Sequence, residues 1–220
     1  MKSQETPLGA VRSVQVGRVK AVEGPGPALR SAIDKRAVPG GARLSVGGFE
    51  GDEVADRKFH GSRDQAGLFF AASSYSAFEA RLGRALAPGS FGENVTVGGF
   101  DESEACVGDV CRVGEATIEV ATSRSPCATL GRHLGDPGIV AAIRAPHRAG
   151  WYVRVLAEGL VRPGDAITLV SRPHPGWTVE RLAAVKLDRA DVEGARALCA
   201  LPALAKSTRD SLAQRLSAPR

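Results

Sequence analysis

Short apolar runs separated by glycine-rich turns dominate the chain up to about residue 172. Apolar and polar positions alternate in many of these runs, which is typical of strands with one buried face. One segment, residues 73–82, has helical periodicity, with serines at its start and Gly83 at its end. The predicted strands are residues 11–22, 28–33, 44–46, 66–71, 94–97, 109–113, 116–121, 151–156 and 166–170. Many short strands with few helices predict a β-barrel or a β-sandwich core.

After Arg172 the pattern becomes helical. The segment Pro173-His174-Pro175-Gly176 predicts a linker, and Thr178 is a good N-cap for the helix that follows it. Asp188 and Asp191 are candidate caps for a second helix. The predicted helices are residues 178–187, 188–202 and 203–216. We therefore expect a mainly β fold with a few short helices, followed by a small all-α three-helix module.

Composition and charge exclude several classes of protein. A hydrophobic content of 43% is enough for a packed core, so disorder is not expected. The net charge is +5, from 29 basic and 24 acidic side chains that are interspersed, so no nucleic-acid-binding arm is expected. No run approaches the roughly 18 apolar residues of a membrane helix, and the N-terminus lacks the apolar core of a secretory signal. These features predict a cytoplasmic protein with no membrane or nucleic-acid partner.

Four cysteines in a chain of 220 residues do not suggest a disulfide framework. Cys106 and Cys111 have the spacing of half a zinc site, but no second pair lies nearby in the sequence. Free cysteine often packs as a small buried hydrophobe. We therefore interpret both residues as structural.

The strongest chemical signal is the segment Arg124-Ser125-Pro126-Cys127, at the end of a predicted strand. Residues 124–154 contain five arginines, two histidines and a single acid. Nearby cations favour the thiolate of a cysteine, and the thiolate is the form that attacks electrophiles or binds soft metals. From the residues alone, Cys127 is thus a candidate nucleophile, a candidate metal ligand or a buried structural residue.

A second polar segment, residues 51–61, reads GDEVADRKFHG. Its charge content is typical of a solvated loop. Alternatively, Arg57, Lys58 and His60 supply donors to an anion, since lysine and arginine are the usual phosphate partners. A third interpretation is a divalent metal site, against which the adjacent cations argue. The metal ligands would be Asp52, Glu53, Asp56 and His60.

Two further segments are weaker candidates. In residues 88–96 the glycines permit close backbone approach, and Asn94 offers donors and an acceptor to a heterocycle, although an ordinary loop is equally compatible. In residues 150–154, Trp151 is expected in the core or as a wall, and Arg154 is expected to form an ion pair.

Taken together and in order, these segments resemble the MOSC domain family, named after the C-terminal part of molybdenum cofactor sulfurases. The resemblance spans residues 14–173, and the segment 177–220 is similar to the three-helix (3-alpha) domain of YiiM-type members. The motifs that carry it are GDEVADRKFHG, FGENVT, VGDVCRVGEATIEV, RSPC and AGWYVRVL in the first part, and TVERL and LAKSTRDSL in the second.

The resemblance implies a barrel-like fold that binds the molybdenum cofactor, with Cys127 as the metal ligand and catalytic residue. Thiolates independently suit a soft metal site. The further cofactor-binding candidates are Arg124, Lys58, His60, Asn94, Arg148, Arg57 and Ser125. The implied reaction is reduction of N-hydroxylated small molecules such as hydroxylaminopurines by N–O cleavage, which requires an external electron-donor protein. Pyridoxal phosphate is not expected.

The chain departs from the family pattern at two positions. Thr129 stands where members commonly have a lysine, and Gly61-Ser62 stands where paired glycines are common. Two alternatives to the reductase stay open. One is a cofactor carrier or sulfur-transfer module, in which Cys127 holds the cofactor or a persulfide. The other is a hydrolase built on the acidic segment around Asp52. The sequence is compatible with a monomer or a homodimer.

Overall fold

Alternating apolar side chains build a β-barrel in the computed structural model, which describes residues 6–23, 27–56 and 61–218. Strand bounds are β1 (Thr6–Val16), β2 (Lys20–Ala21), β3 (Arg30–Ser31), β4 (Arg36–Ala37), β5 (Ala42–Ser45), β6 (Gly48–Phe49), β7 (Gly67–Ala71), β8 (Val95–Gly98), β9 (Val110–Val113), β10 (Ala116–Ser123), β11 (Trp151–Ala157), β12 (Gly159–Val161) and β13 (Ala166–Ser171). Helix bounds are α1 (Tyr75–Leu82), α2 (Ala128–Leu134), α3 (Ile139–Arg144), α4 (Val179–Leu187), α5 (Val192–Cys199) and α6 (Lys206–Ser217).

Seven strands form the barrel in the order β13-β9-β10-β11-β7-β8-β1, and pairing of β1 with β13 closes it. The β7–β8 pair is parallel, whereas the other pairs are antiparallel. Closure pairs the two outer strands of the barrel with each other, and the inward side chains of the strands fill the interior. Val113, Ile118, Val153 and Ile167 are almost fully buried there, as the alternating pattern predicts.

A second hydrophobic cluster lies outside the barrel and supports the loop that follows β10. Phe70 projects from β7 and stacks on Phe91, with ring centroids 4.5 Å apart. Leu130 of α2 and Ile143 of α3 are fully buried in the same cluster. Helices α2 and α3 were not expected from the sequence. Gly131 within α2 is buried and leaves room for residues 136–137, so a residue that disfavours helices stands there for packing.

The C-terminal helices have their own core and dock on the barrel. Leu182, Leu198 and Leu212 are buried in a cluster formed mainly by α4, α5 and α6. Thr178 caps α4 as predicted, because its side chain accepts a hydrogen bond from the Arg181 backbone N–H at 3.1 Å. The mainly β core followed by a three-helix module is therefore confirmed.

The N-terminal predictions misplaced the strand bounds, because the predicted strand 11–22 begins five residues after the start of β1 at Thr6 and runs past its end. Strand β1 ends at Val16, since the Gly17 N–H donates to the Asp52 carboxylate at 2.7 Å and the chain then leaves the barrel. Of the predicted strand 28–33, two residues belong to β3. Among the described residues, no helix is long and apolar enough to cross a membrane.

Candidate functional site

A cavity of about 1340 Å³ lies where the barrel, the loop after β10 and the three-helix module meet. Its wall includes Leu68 of β7 and Tyr152 of β11 from the barrel, residues 122–127, and Lys186 of α4 from the module. Ligand sites are usually concave and lined by apolar surface with a few converging polar groups. The cavity brings together several of the residues that the sequence suggested.

The backbone of the loop 124–127 is held by groups from separate elements. The Arg124 N–H donates to the Gly150 carbonyl at 2.9 Å, and Arg144 donates to the Pro126 carbonyl, also at 2.9 Å. Cys127 then stands in extended conformation directly before α2. It is an exposed free cysteine that lines the cavity. The loop is thus fixed while its thiol stays accessible.

Arg124 is 8% exposed, and its Nη1 atom is buried without a hydrogen-bond partner. Buried polar groups are nearly always paired, and a buried cation without an acceptor costs free energy. The same guanidinium lines the cavity. An anion placed in the cavity would supply the missing acceptor.

Lys35 and Asp52 form a buried ion pair on the cavity wall that sequence reasoning missed. The Lys35 ammonium donates to both carboxylate oxygens of Asp52, at 2.5 and 2.6 Å, and its side chain is 8% exposed. Burial lowers the pKa of Lys35 from its usual value, the Asp52 charge opposes that effect, and the nearby Arg124 adds to it. The pair therefore adds a desolvated cation beside Arg124.

Asn94 lies at the cavity as expected, but its side-chain amide is already engaged within the protein. Its Oδ1 accepts from the Leu68 backbone N–H at 3.1 Å, and its Nδ2 donates to Asp52 at 2.9 Å. Glu93 is likewise buried, where its carboxylate accepts from the backbone of residues 89 and 91 and from Tyr75. The FGENVT motif accordingly builds and fixes the wall.

The structure does not bring Arg148 to this cavity, contrary to the expectation that it helps to hold the cofactor. Its Nη1 donates to Asp101 at 2.5 Å, and it lines a separate small cavity beside α1. Arg154 forms ion pairs with Asp64 and Glu119, as expected for a structural residue. Ser125 does line the main cavity. Arg57, Lys58 and His60 lie outside the described residues.

The acidic segment does not form a metal site among the described residues, where no group of three or more metal-ligating side chains is found. Asp52 is paired with Lys35, and Glu53 accepts from the Val19 N–H at 2.7 Å and from Arg18. His60, the fourth ligand of the metal site considered above, lies outside the described residues. The arrangement does not favour the hydrolase alternative.

Tyr152 shares the cavity with the thiol. Burial raises the pKa of its hydroxyl, the charge of Arg124 opposes that effect, and the thiol of Cys127 adds to it. The hydroxyl therefore stays protonated at neutral pH.

Cys106 and Cys111 are buried elsewhere, and burial raises the pKa of Cys111 to about 12, as expected for inert structural thiols.

Residues 56–168 match the MOSC domain, and residues 177–218 match the YiiM-like, 3-alpha helix domain. The chain belongs to the MOSC domain family. This family is associated with molybdenum cofactor binding. The protein YflK of Bacillus subtilis is 36% identical over 171 residues, which cover 78% of this chain and 77% of YflK. Protein YiiM of Escherichia coli is 36% identical over 159 residues, 70% of each chain.

A protein of Gibberella moniliformis named a reductase is 31% identical over 180 residues, 78% of this chain but 31% of its own length. Among solved structures, YiiM of Geobacillus stearothermophilus superposes with a TM-score of 0.80 at 27% identity, covering 94% of this chain and 99% of its own. YiiM of Escherichia coli gives 0.72 at 29% identity, with 82% and 87% coverage. The match to the Geobacillus stearothermophilus structure thus extends over nearly the whole chain, the helical module included.

The chemical types of the side chains that line the cavity suit a molybdenum cofactor. An exposed thiol matches a soft metal, and a buried guanidinium whose Nη1 atom lacks an acceptor matches an anionic group such as a phosphate. Both belong to one four-residue loop on the cavity wall.

Proposed function

We propose that this MOSC protein is a molybdenum-cofactor-dependent oxidoreductase that reduces N-hydroxylated small molecules, such as hydroxylaminopurines, by N–O cleavage. The observation that carries the proposal is the loop 124–127. It presents to the same cavity an exposed thiol and a buried guanidinium whose Nη1 atom lacks a hydrogen-bond partner.

In this proposal Cys127 is the metal ligand, and Arg124 binds the anionic part of the cofactor. Ser125 borders the same cavity and is a further candidate contact. When bound, the cofactor supplies two-electron redox chemistry at a soft metal centre. The remaining work of binding and proton placement falls to side chains of this chain.

The overall reaction is R–NHOH + 2 e⁻ + 2 H⁺ → R–NH₂ + H₂O. The N–O bond breaks, the oxygen leaves as water, and an external electron-donor protein is oxidised. Tyr152 is the candidate group for holding a proton at the cavity, since its raised pKa keeps the hydroxyl protonated beside Cys127. A protonated hydroxyl can donate a hydrogen bond to the substrate oxygen.

The test is molybdenum and pterin analysis of protein expressed in a host that makes the cofactor. We expect near-stoichiometric molybdenum in the wild type and at least a tenfold loss in Cys127→Ser. Cys199→Ser is the matched control, because Cys199 is half-buried and lies in the helical module. Wild-type protein with zinc or manganese but no molybdenum or pterin would refute the proposal.

A carrier or sulfur-transfer role is the second candidate, and the accessibility of Cys127 is the observation that favours it. The two candidates differ in turnover. Molybdenum-loaded protein supplied with a chemical reductant should convert hydroxylaminopurine to the amine if it is a reductase. Full occupancy without turnover of N-hydroxylated compounds would favour the carrier.

A further inference from the structure

The helical module contributes a lysine to the cavity wall. Lys186 is the penultimate residue of α4 and lines the cavity together with residues 122–127. Its ammonium donates to the Ser123 carbonyl at 2.8 Å and to the Ser123 hydroxyl at 3.1 Å. Ser123 is the last residue of β10 and directly precedes the loop with Arg124 and Cys127.

This contact is unlike a surface lysine contact. Both acceptors are neutral atoms of one residue, and burial lowers the pKa of Lys186 to about 8. Other polar contacts of the module with the barrel lie beside it. Thr208 of α6 meets Thr122 at 2.8 Å between hydroxyl oxygens, and the Ala205 N–H donates to the Ala121 carbonyl at 2.9 Å. The module therefore makes a hydrogen bond to each of the last three residues of β10.

We propose that Lys186 is a positioning residue: by holding Ser123, its ammonium fixes the end of β10 so that Arg124 and Cys127 face the cavity together. The three-helix module then takes part in ligand binding as well as in packing. The proposal rests on the proposed function, since the ligand it concerns is the anionic molybdenum cofactor.

The experiment compares molybdenum and pterin content in full-length variants. Lys186→Met keeps the aliphatic stem but removes the donors, and we expect at least a fivefold loss of bound molybdenum. Lys186→Arg restores donors and should retain at least half of the wild-type content. Lys206→Met controls for charge, because Lys206 is an exposed residue of the same module paired with Asp210. It should leave occupancy unchanged.

Arg209→Met controls for stability of the module. Arg209 donates to carbonyls of Cys199, Leu201 and Leu204 inside the module and does not line the cavity. This variant should lower the melting temperature but keep wild-type molybdenum content. If Lys186→Met and Arg209→Met lose molybdenum in proportion to their loss of melting temperature, Lys186 is structural and the proposal is wrong.

A second measurement uses the apoprotein and inorganic phosphate at constant ionic strength. Phosphate should raise the melting temperature of the wild type, because it can supply the acceptor that Nη1 of Arg124 lacks. The shift should fall at least twofold in both Arg124→Met and Lys186→Met, but not in Lys206→Met. A wild type without molybdenum would refute the proposed function alone, and this arm would still decide the role of Lys186. Equal phosphate shifts in the wild type and Lys186→Met would overturn it.

Discussion

Glu102 provides a test of the buried electrostatics around the site. Glu102 is 1% exposed. Its Oε1 accepts a hydrogen bond from the Gly150 N–H at 2.7 Å, and its Oε2 has no hydrogen-bond partner. Burial raises the pKa of Glu102 from 4.5 to about 7. Gly150 in turn accepts from the Arg124 N–H, so this carboxyl lies one residue away from the cavity loop.

The direction of the pH dependence follows from the raised pKa. The folded protein holds the Glu102 proton more tightly than the unfolded chain does. The stabilisation is therefore fully present below about pH 4.5 and is lost as pH rises through about 7. At roughly 1.4 kcal/mol per pKa unit, this one group lowers the free energy of unfolding by about 3 kcal/mol across that interval.

Glu102→Gln removes the titration while keeping the shape and an acceptor for Gly150. We expect the variant to have about the same free energy of unfolding as the wild type near pH 4.5. By pH 8 it should be more stable by about 3 kcal/mol. The assay is urea denaturation of the apoprotein at several pH values, with Glu193→Gln, on the exposed surface of α5, as the control. Stability curves of the wild type and Glu102→Gln that stay parallel from pH 5 to 8 would refute the reasoning.

Three further outcomes are expected. In the folded apoprotein, Cys127 should react with a disulfide reagent at least tenfold faster than the buried Cys106 and Cys111, whose labelling should require unfolding. Lys35→Met should lower the free energy of unfolding by about 3–5 kcal/mol in urea denaturation, since it leaves the Asp52 carboxylate without its cation. Phe91→Ala should lower it by a similar amount, about 3–5 kcal/mol, because the ring is fully buried; a loss below 1 kcal/mol would contradict that packing.

The sequence predicted the barrel and the module because their signals are local. Alternation within a strand, a glycine after a helix and a threonine before one are each visible within a few residues. Thr178 accordingly begins α4 and Gly83 ends α1 where expected. The predicted strand ran past Val16, where β1 ends. The backbone N–H of Gly17 donates a hydrogen bond to Asp52, 35 residues away in the sequence, and the chain leaves the barrel there.

The polar residues of the cavity could be predicted only in part. Arg124 and Cys127 stand in one short motif, so the sequence alone brings them together. Lys35 pairs with Asp52, 17 residues away in the sequence, and Lys186 pairs with Ser123, 63 residues away. Each lysine looks like an ordinary surface charge in its own segment, and Asp52 stood out only as a candidate metal ligand. Arg148 shows the opposite error, because its proximity in sequence to Cys127 does not place it at the cavity.

The loop 124–127 differs from its surroundings in how its groups are used. The backbone is held at Arg124 by Gly150, at Pro126 by Arg144, and just before the loop by Lys186. A loop needed only to connect β10 with α2 would gain nothing from a buried guanidinium nitrogen without a hydrogen-bond partner beside an accessible thiol. Fixed backbone with unsatisfied side chains is the arrangement expected of a preorganised binding loop, because the cost of ordering is met during folding instead of on ligand binding.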